Sequence, residues 1–424
     1  VQASSATYGR FDNDQETRDR VEVRKINAFS VGGDTFFNSG WNANYELAYS
    51  YAEEDDSDNV DVAFRHKYRS DTSPTGVVSW ANVQKPETTL VGGFAPLSDY
   101  GLDEVEFEKS LVQDKEVSLH ADFEKEMALL DMPSTVKFGF KYRARQKDAD
   151  FNIYTAAPDV SLADFQTISP NHAFSNNFGQ FIERRASRQL EQYFSLAGID
   201  EEASTAGDFV TDENILAVYG MATMDYTDKL RIVGGIRVEQ TDVKSKATQM
   251  VNGVWTPVSP SKDYTFVSPS LNLKYDANDN TVYRFGYSRS LARPGFSEFA
   301  PNAEINSLGD ERSISYGNFD LEHYESDNLD FTAEYYLDQF SYVSLGMFYK
   351  RIDNAIYQVA SNNREIDGVF YNDGITTWEN LDTSTILGYE LNAQRQLNFL
   401  PGALANMYAS LNYTYNDAES DLPT

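Results

Sequence analysis

Trp41, Ala43, Tyr45, Leu47, Tyr49 and Tyr51 alternate without a break with Asn42, Asn44, Glu46, Ala48 and Ser50. Successive side chains of a strand point to opposite faces, so this stretch reads as a strand with one aromatic, apolar face and one polar or small face. Tyr283, Phe285 and Tyr287 set against Arg284, Gly286 and Ser288 repeat the pattern. A strand of this kind needs apolar surroundings on one side and polar surroundings on the other. The rest of the chain decides which of these lies inside.

The same period read along the chain gives about twelve long strands. They are expected near Arg18–Val31 (with the segment Gly32–Ser39 after it), Trp41–Tyr51, Glu104–Ala128, Thr135–Lys147, Glu213–Tyr226 and Lys229–Lys246. Further ones follow at Tyr264–Tyr275, Thr281–Leu291, Asn328–Leu337, Phe340–Tyr357, Ile386–Leu397 and Leu404–Tyr415. Connections alternate. Short ones fall at Leu130–Ser134, Thr227–Asp228, Asp276–Asn280, Asp338–Gln339 and Asn398–Gly402. Long ones fall at residues 52–103, 151–212, Ala247–Ser261, Ala292–Glu325 and Gln358–Ser384. The excursion over 52–103 is expected to carry its own hairpin, Val60–Tyr68 with Val77–Val83.

This rhythm fits an all-β, transmembrane antiparallel barrel with short periplasmic turns and long extracellular loops. A β-sandwich would turn every ~8–12 residues. A strand of about twenty-five residues spans roughly 80 Å, whereas about 9–11 residues cross a bilayer, so such strands project well beyond the membrane. No apolar run approaches the ~20 residues of a membrane helix. A barrel escapes that test because only alternate residues meet lipid.

The 424 residues include 27 Tyr, 27 Phe and no Cys, and carry a formal charge of −31 from 66 acidic and 35 basic residues. Phosphate binding needs clustered Lys and Arg, so nucleic acid is excluded as a partner. The acid keeps a large surface solvated or, on an outer-membrane protein, decorates external loops bridged to lipopolysaccharide by divalent cations. Catalysis finds no support, and neither a metal nor a cofactor is expected. There is no thiol, His66, His120, His172 and His323 lie far apart, and no serine sits in a G-x-S-x-G elbow. Residues 53–61 read as an acidic loop tip and Asp276–Asn280 as a plain turn, since neither carries the fixed positions of a calcium loop. No signal peptide opens the chain, and Val1 and Thr424 read as ends of a processed or incomplete chain.

Ser288-Arg-Ser-Leu-Ala-Arg-Pro294 resembles a hallmark of TonB-dependent receptors, the energised transporters of the Gram-negative outer membrane. Leu230–Thr241, with its G-x-R-x-E-x-T order, is similar to another strand of that family. So are the segments Glu213–Met224, Val136–Lys147, Phe348–Ile356 and Gly388–Gln394 leading to Phe399–Gly402. Together they cover most of the chain in family order and look most like the branch found in Caulobacter- and Xanthomonas-type bacteria. The resemblance implies a barrel of about 22 strands closed by an N-terminal plug, with substrate bound at the outer mouth and TonB relaying energy to the plug. Residues 1–424 then hold part of the barrel, taken from its middle, with the plug absent from this chain. Gly317-Asn-Phe-Asp-Leu-Glu322 departs from the family's Gly-Asn-Pro.

On this reading Leu230, Ile232, Ile236 and Val238 meet lipid, because a charge there would cost about 2–4 kcal/mol at mid-bilayer. Arg231, Arg237, Glu239 and Arg284 then face the lumen, either toward the plug or paired with neighbouring strands. For substrate the candidates are Trp80, Trp255, Trp378, Tyr316 and Tyr371, aromatics of the external segments interleaved with Asn, Asp and Glu. Ring faces beside amides and carboxylates suit a pyranose, and the same aromatics also serve to pack loops on themselves. The expected function is import of an oligosaccharide or similar polar nutrient. A ferric-siderophore receptor, with Arg184, Arg185 and Arg188 as a basic patch, is the alternative. A passive porin or surface-binding protein is the alternative of another class. The partners implied are the TonB complex, outer-membrane lipid and lipopolysaccharide, the nutrient, and a surface lipoprotein.

Overall fold

A computed structural model describes residues 5–69, 75–79, 87–169, 179–251, 254–306, 312–361, 364–366, 369–371 and 374–420. Its main element is a meander of wall strands, each antiparallel to the next. The first six are β1 (Val23–Phe36), β2 (Trp41–Asp55), β3 (Gly101–Leu129), β4 (Met132–Ala156), β5 (Phe209–Thr227) and β6 (Leu230–Val251). The rest are β7 (Ser261–Asn278), β8 (Thr281–Ala292), β9 (Tyr324–Asp338), β10 (Ser341–Asp353), β11 (Thr383–Gln396) and β12 (Tyr408–Ser420). β3 and β4, at 29 and 25 residues, are the longest. Their shared turn closes on two residues, Leu130 and Asp131, with φ of 53° and 64°. Positive φ at both central positions is the twist-matched two-residue hairpin geometry. One end of the wall carries such turns and the other carries the long loops.

Register fixes the two faces. At one height Tyr45, Ala121, Phe140, Val218, Val238 and Val267 lie side by side on the outward face of β2–β7. One residue along, on the inward face, the row reads Glu46, His120, Lys141, Ala217, Glu239 and Phe266. Leu216, Val218 and Ile236 are 50%, 49% and 51% exposed. A contiguous apolar face of this extent, backed by charge, is the reverse of a water-soluble sheet and suits lipid outside. No helix among the described residues is long and apolar enough to cross a membrane.

The main buried core lies at the long-loop end, between the upper end of β3 and the loops beside it. Val60, Val62, Phe64, Tyr100, Val105, Phe107, Leu162, Ile182 and Leu190 pack there. Two expectations are corrected in this lobe. The strand expected over Arg18–Val31 is two elements: Phe11–Asp19 pairs with Asn59–Tyr68, while the wall strand begins at Val23 and runs through residues 32–36. The hairpin expected between Val60–Tyr68 and Val77–Val83 does not form. Asn59–Tyr68 lies between Phe11–Asp19 and the upper end of β3, and Thr75–Ser79 pairs instead with Ser5–Tyr8 and Glu87–Val91. Residues 80–86 lie outside the described residues. Every residue from Asn59 to Arg65 is buried, so both faces of this strand need cover. An isolated two-stranded hairpin cannot supply it.

Candidate functional site

Three loops converge at the long-loop end of β6–β11. Val254–Val258 folds back on β6. The β8–β9 loop contributes a short turn of helix (Phe296–Phe299) and the strands Ala303–Asn306 and Ser313–Tyr316, and the β10–β11 loop contributes Ile356–Ser361 and Gly374–Asn380. These four strands form one small sheet, in which Ser313–Tyr316 and Gly374–Asn380 run parallel. Gly317 leaves this sheet against the Ala300 carbonyl oxygen, into which any Cβ would run. Only glycine permits that approach.

Between the loops opens a cleft of ≈650 Å³ lined by Gln249, Tyr316, Asn318, Phe319, Asp320, Thr377 and Glu379, with Pro260, Pro301 and neighbouring backbone. Its walls are braced. Asn318 Nδ2 donates to the Trp378 carbonyl at 2.9 Å, and the Asp320 N–H donates to Asn318 Oδ1 at 2.9 Å. Tyr357 Oη donates to Glu379 at 3.0 Å. Asn380 Nδ2 donates to the Glu322 and Asn354 carbonyls at 3.0 and 2.8 Å, tying two loops together. Amides, carboxylates, a hydroxyl and ring faces converge here, and the lining residues include no Lys or Arg. That set can donate to and accept from hydroxyls while stacking on C–H faces, within the volume range of small-molecule sites.

Beside the cleft, Tyr371 is fully buried and packs with Trp255, Tyr316, Ala206, Ile314 and Ile375. Trp255 Nε1 donates to Glu202 at 3.0 Å. Arg312 pairs with the same carboxylate at 2.7 Å and lies 5.4 Å from the Tyr371 ring centre. Of the five aromatics expected to meet substrate, the structure thus brings Trp255, Tyr316 and Tyr371 together. Trp378 sits in a neighbouring cluster with Val243, Phe299 and Leu321, and Trp80 lies outside the described residues. Only Tyr316 lines the cleft. Sequence reasoning missed Gln249, Asn318, Asp320 and Glu379. The signal that could have found two of them is the departure at Gly317–Glu322, which carries Asn318 and Asp320.

The four residues expected to face the lumen share one face of the wall, the one opposite the apolar rows. Arg231 stands opposite Asp225, Arg237 opposite Tyr219, Glu239 opposite Ala217, and Arg284 opposite Thr332. Arg237 and Glu239 come together: Arg237 Nε donates to Glu239 at 2.7 Å. Arg293, at the end of β8, donates to the other oxygen of Glu239 at 2.6 Å and to Thr241 Oγ1 at 2.8 Å. This clamp holds the chain entering Phe296–Phe299 against β6. Arg231 and Arg284 stand apart from it, paired with Asp225 and Glu334 at 2.7 and 2.8 Å. His323 stacks on Tyr264 with ring centres 4.4 Å apart and meets Glu325 at 3.1 Å. Burial pushes its imidazole below the ordinary value.

The basic patch at Arg184, Arg185 and Arg188 is largely spent. Arg184 and Arg188 each reach Asp19 at 2.6 Å, and Arg188 also meets Asp58 and Glu191 at 2.9 and 3.0 Å. The Arg188 guanidinium, and after it that of Arg184, hold the Asp19 carboxyl below the usual carboxylate range despite burial.

No curated protein sequence matches the chain. Among solved structures it is similar to the ferric-catecholate import receptor Fiu of E. coli K12 (11% identity, TM-score 0.46, 97% of this chain and 65% of that one). It is also similar to the alcaligin outer-membrane receptor FauA of Bordetella pertussis (13%, 0.38, 96% and 61%) and to pyoverdine-bound FpvA of P. aeruginosa (12%, 0.44, 98% and 56%). The chain spans about three fifths of the length of these structures. At such identities nothing about ligand transfers from them. The family model described as "TonB dependent receptor-like, beta-barrel" matches residues 2–424. With its long-stranded meander, apolar outside and charged inside, the chain belongs to the TonB-dependent receptor β-barrel family.

Proposed function

We propose that this chain is the wall and mouth of an outer-membrane importer of a Gram-negative bacterium. It captures an oligosaccharide or similar polar nutrient between its long, external loops and admits it on energy relayed by TonB through a plug. The family is one of transporters rather than enzymes. The observation that carries the cargo is the cleft of Gln249, Tyr316, Asn318, Phe319, Asp320 and Glu379, rich in hydroxyl-binding groups and ring faces and free of Lys and Arg among its lining residues. A ferric siderophore of net negative charge would meet Asp320 and Glu379 there, while Lys262 behind the cleft wall is held by the Asp320 and Leu321 carbonyls at 3.3 and 3.0 Å. Of the three arginines that offered an alternative patch, Arg184 and Arg188 are engaged with Asp19. Segment resemblance to the Caulobacter- and Xanthomonas-type branch supports the same cargo. Toward the plug, the exposed guanidinium edges of Arg231 and Arg284 supply the inward polar surface.

The test is uptake by the full-length receptor in a strain lacking its own copy. Growth on a panel of oligosaccharides as sole carbon source is compared with growth under iron limitation. Asn318→Ala with Glu379→Gln is expected to lower uptake of one glycan by roughly tenfold or more, the loss of one to two hydrogen bonds to a polar ligand, with iron-limited growth unchanged. Dependence of iron-limited growth on the receptor, with no glycan response, would overturn the cargo.

A further inference from the structure

The charge balance of the cleft differs from that of other hollows on the described surface. Lys115, Lys244 and Asp212 share one groove, Lys67 and Arg69 line another, and Arg395 stands in a third. The cleft instead holds two carboxylates, Asp320 from the β8–β9 loop and Glu379 from the β10–β11 loop, with no Lys or Arg among its lining residues. Both residues are exposed. Lys262 stands behind the wall that carries Asp320. Its ammonium donates to the Asp320 and Leu321 carbonyl oxygens at 3.3 and 3.0 Å, and it lines a separate small cavity with Glu213 and Arg293.

The walls hold both carboxylates in place. Tyr357 Oη donates to Glu379 at 3.0 Å. Asn318 joins the two walls through the Trp378 carbonyl and accepts from the Asp320 N–H. Two rings line the same cleft. Tyr316 is fixed by packing with Ile314 and Tyr371, and Phe319 by the Phe299 ring, with centres 4.2 Å apart. Carboxylates beside ring faces hold an organic ammonium group, because the oxygens pair with its charge and the ring quadrupole attracts it. Among the described residues no group of carboxylates and imidazoles is spaced to hold a metal ion. The negative charge is therefore matched by a cation carried on an organic ligand. Gln249 and Thr377, on the same lining, both donate to and accept from hydroxyls.

We propose that the cleft selects an amino sugar, a saccharide whose free ammonium groups lie against Asp320 and Glu379 while its hydroxyls meet Gln249 and Thr377. Its C–H faces then meet Tyr316 and Phe319. The inference rests on the reading of the cleft as the cargo site and narrows that cargo from polar saccharides to cationic ones. An N-acetylated sugar loses the charge and ranks with a neutral one.

The experiment is calorimetric titration of the full-length receptor, extracted in mild detergent from outer membranes, at about pH 6, where ordinary carboxylates are ionised. The probes are glucosamine, N-acetylglucosamine and glucose, each as the free sugar and as the β-1,4-linked trimer. At about fivefold for one ammonium–carboxylate contact at an exposed site, the glucosamine trimer is expected to bind about twentyfold more tightly than the glucose trimer. Asp320→Asn with Glu379→Gln, which keeps an acceptor for Tyr357, is expected to bring the three trimers to within about threefold of one another. Salt at about 1 M narrows the wild-type preference in the same way. Equal binding of the three sugars by the wild type, or a preference that survives in the double variant, overturns the amine and leaves the saccharide reading standing. Trilysine bound as tightly as the glucosamine trimer overturns the saccharide scaffold. Failure of every probe to bind overturns the inference, and growth on the oligosaccharide panel then decides the reading of the cleft separately.

Discussion

Single residues in the loop lobe couple it to pH. Glu106 on the upper part of β3 lies opposite Asp61, with Glu104 and Glu108 on the same face, and burial first and then these neighbours push its carboxyl up to about 7, against an opposing Arg20. Glu104 is pushed to about 7 in the same way, by burial and then by Asp103 and Asp200. The unfolded chain releases this proton near the ordinary 4.5. The folded lobe therefore holds protons that the unfolded one has lost, and its stability falls as pH rises from about 4.5 through about 7. Glu106→Gln is expected to slow backbone hydrogen exchange over Asn59–Tyr68 at pH 8, by an amount bounded on the order of 3 kcal/mol, and to leave it unchanged well below the unfolded value of 4.5. Equal protection in both proteins at pH 8 would sink this account. Arg293 acts in the other direction, as a clamp. Arg293→Ala leaves the partly buried Glu239 with Arg237 as its one remaining cation and frees the entry to Phe296–Phe299. Its cost should fall between an exposed and a buried pair, about 1–3 kcal/mol, read as a shifted urea midpoint in lipid. A variant within experimental error of wild type would show the clamp to be ornamental.

At the scale of the element, alternation decides orientation. β6 carries Ile232, Ile236 and Val238 on one face and Arg231, Arg237 and Glu239 on the other, and the apolar face is the one expected to meet lipid. Ile236→Lys is expected to destabilise the folded barrel by about 2–4 kcal/mol if this face meets mid-bilayer, while Arg231→Lys, on the other face of the same strand, costs less than 1 kcal/mol. Reversal of that order in reversible unfolding from lipid would mean that the faces are assigned backwards. Pairing partners are another matter. The expected hairpin at Val60–Tyr68 fails because period-2 alternation specifies a face and says nothing about which strand lies alongside. A strand buried on both faces is claimed by whatever neighbours can cover it, here Phe11–Asp19 and the upper end of β3.

At the scale of the molecule, the cysteine-free sequence offers a clean map of the wall. Single cysteines introduced at Leu216 and Val238 are expected to resist a charged, water-soluble maleimide in intact bilayers, while those at Asp242 and Tyr219 label readily. Uniform labelling at all four positions would remove the membrane from the picture. Long strands, alternating short and long connections and the placing of Arg231, Arg237, Glu239 and Arg284 on one common face were legible in the sequence, because side-chain direction in a strand follows from covalent geometry and needs no partner. The cleft was not. Its walls come from residues as far apart as Gln249, Asn318 and Glu379, and aromatic content pointed instead to Trp255, Tyr371 and Trp378, which the loops use to pack on one another. Sequence by itself thus determined the alternation along each strand and the family. Which loops meet and which carboxylates share a strand pair were decided only in three dimensions, because those contacts join segments that no local period connects.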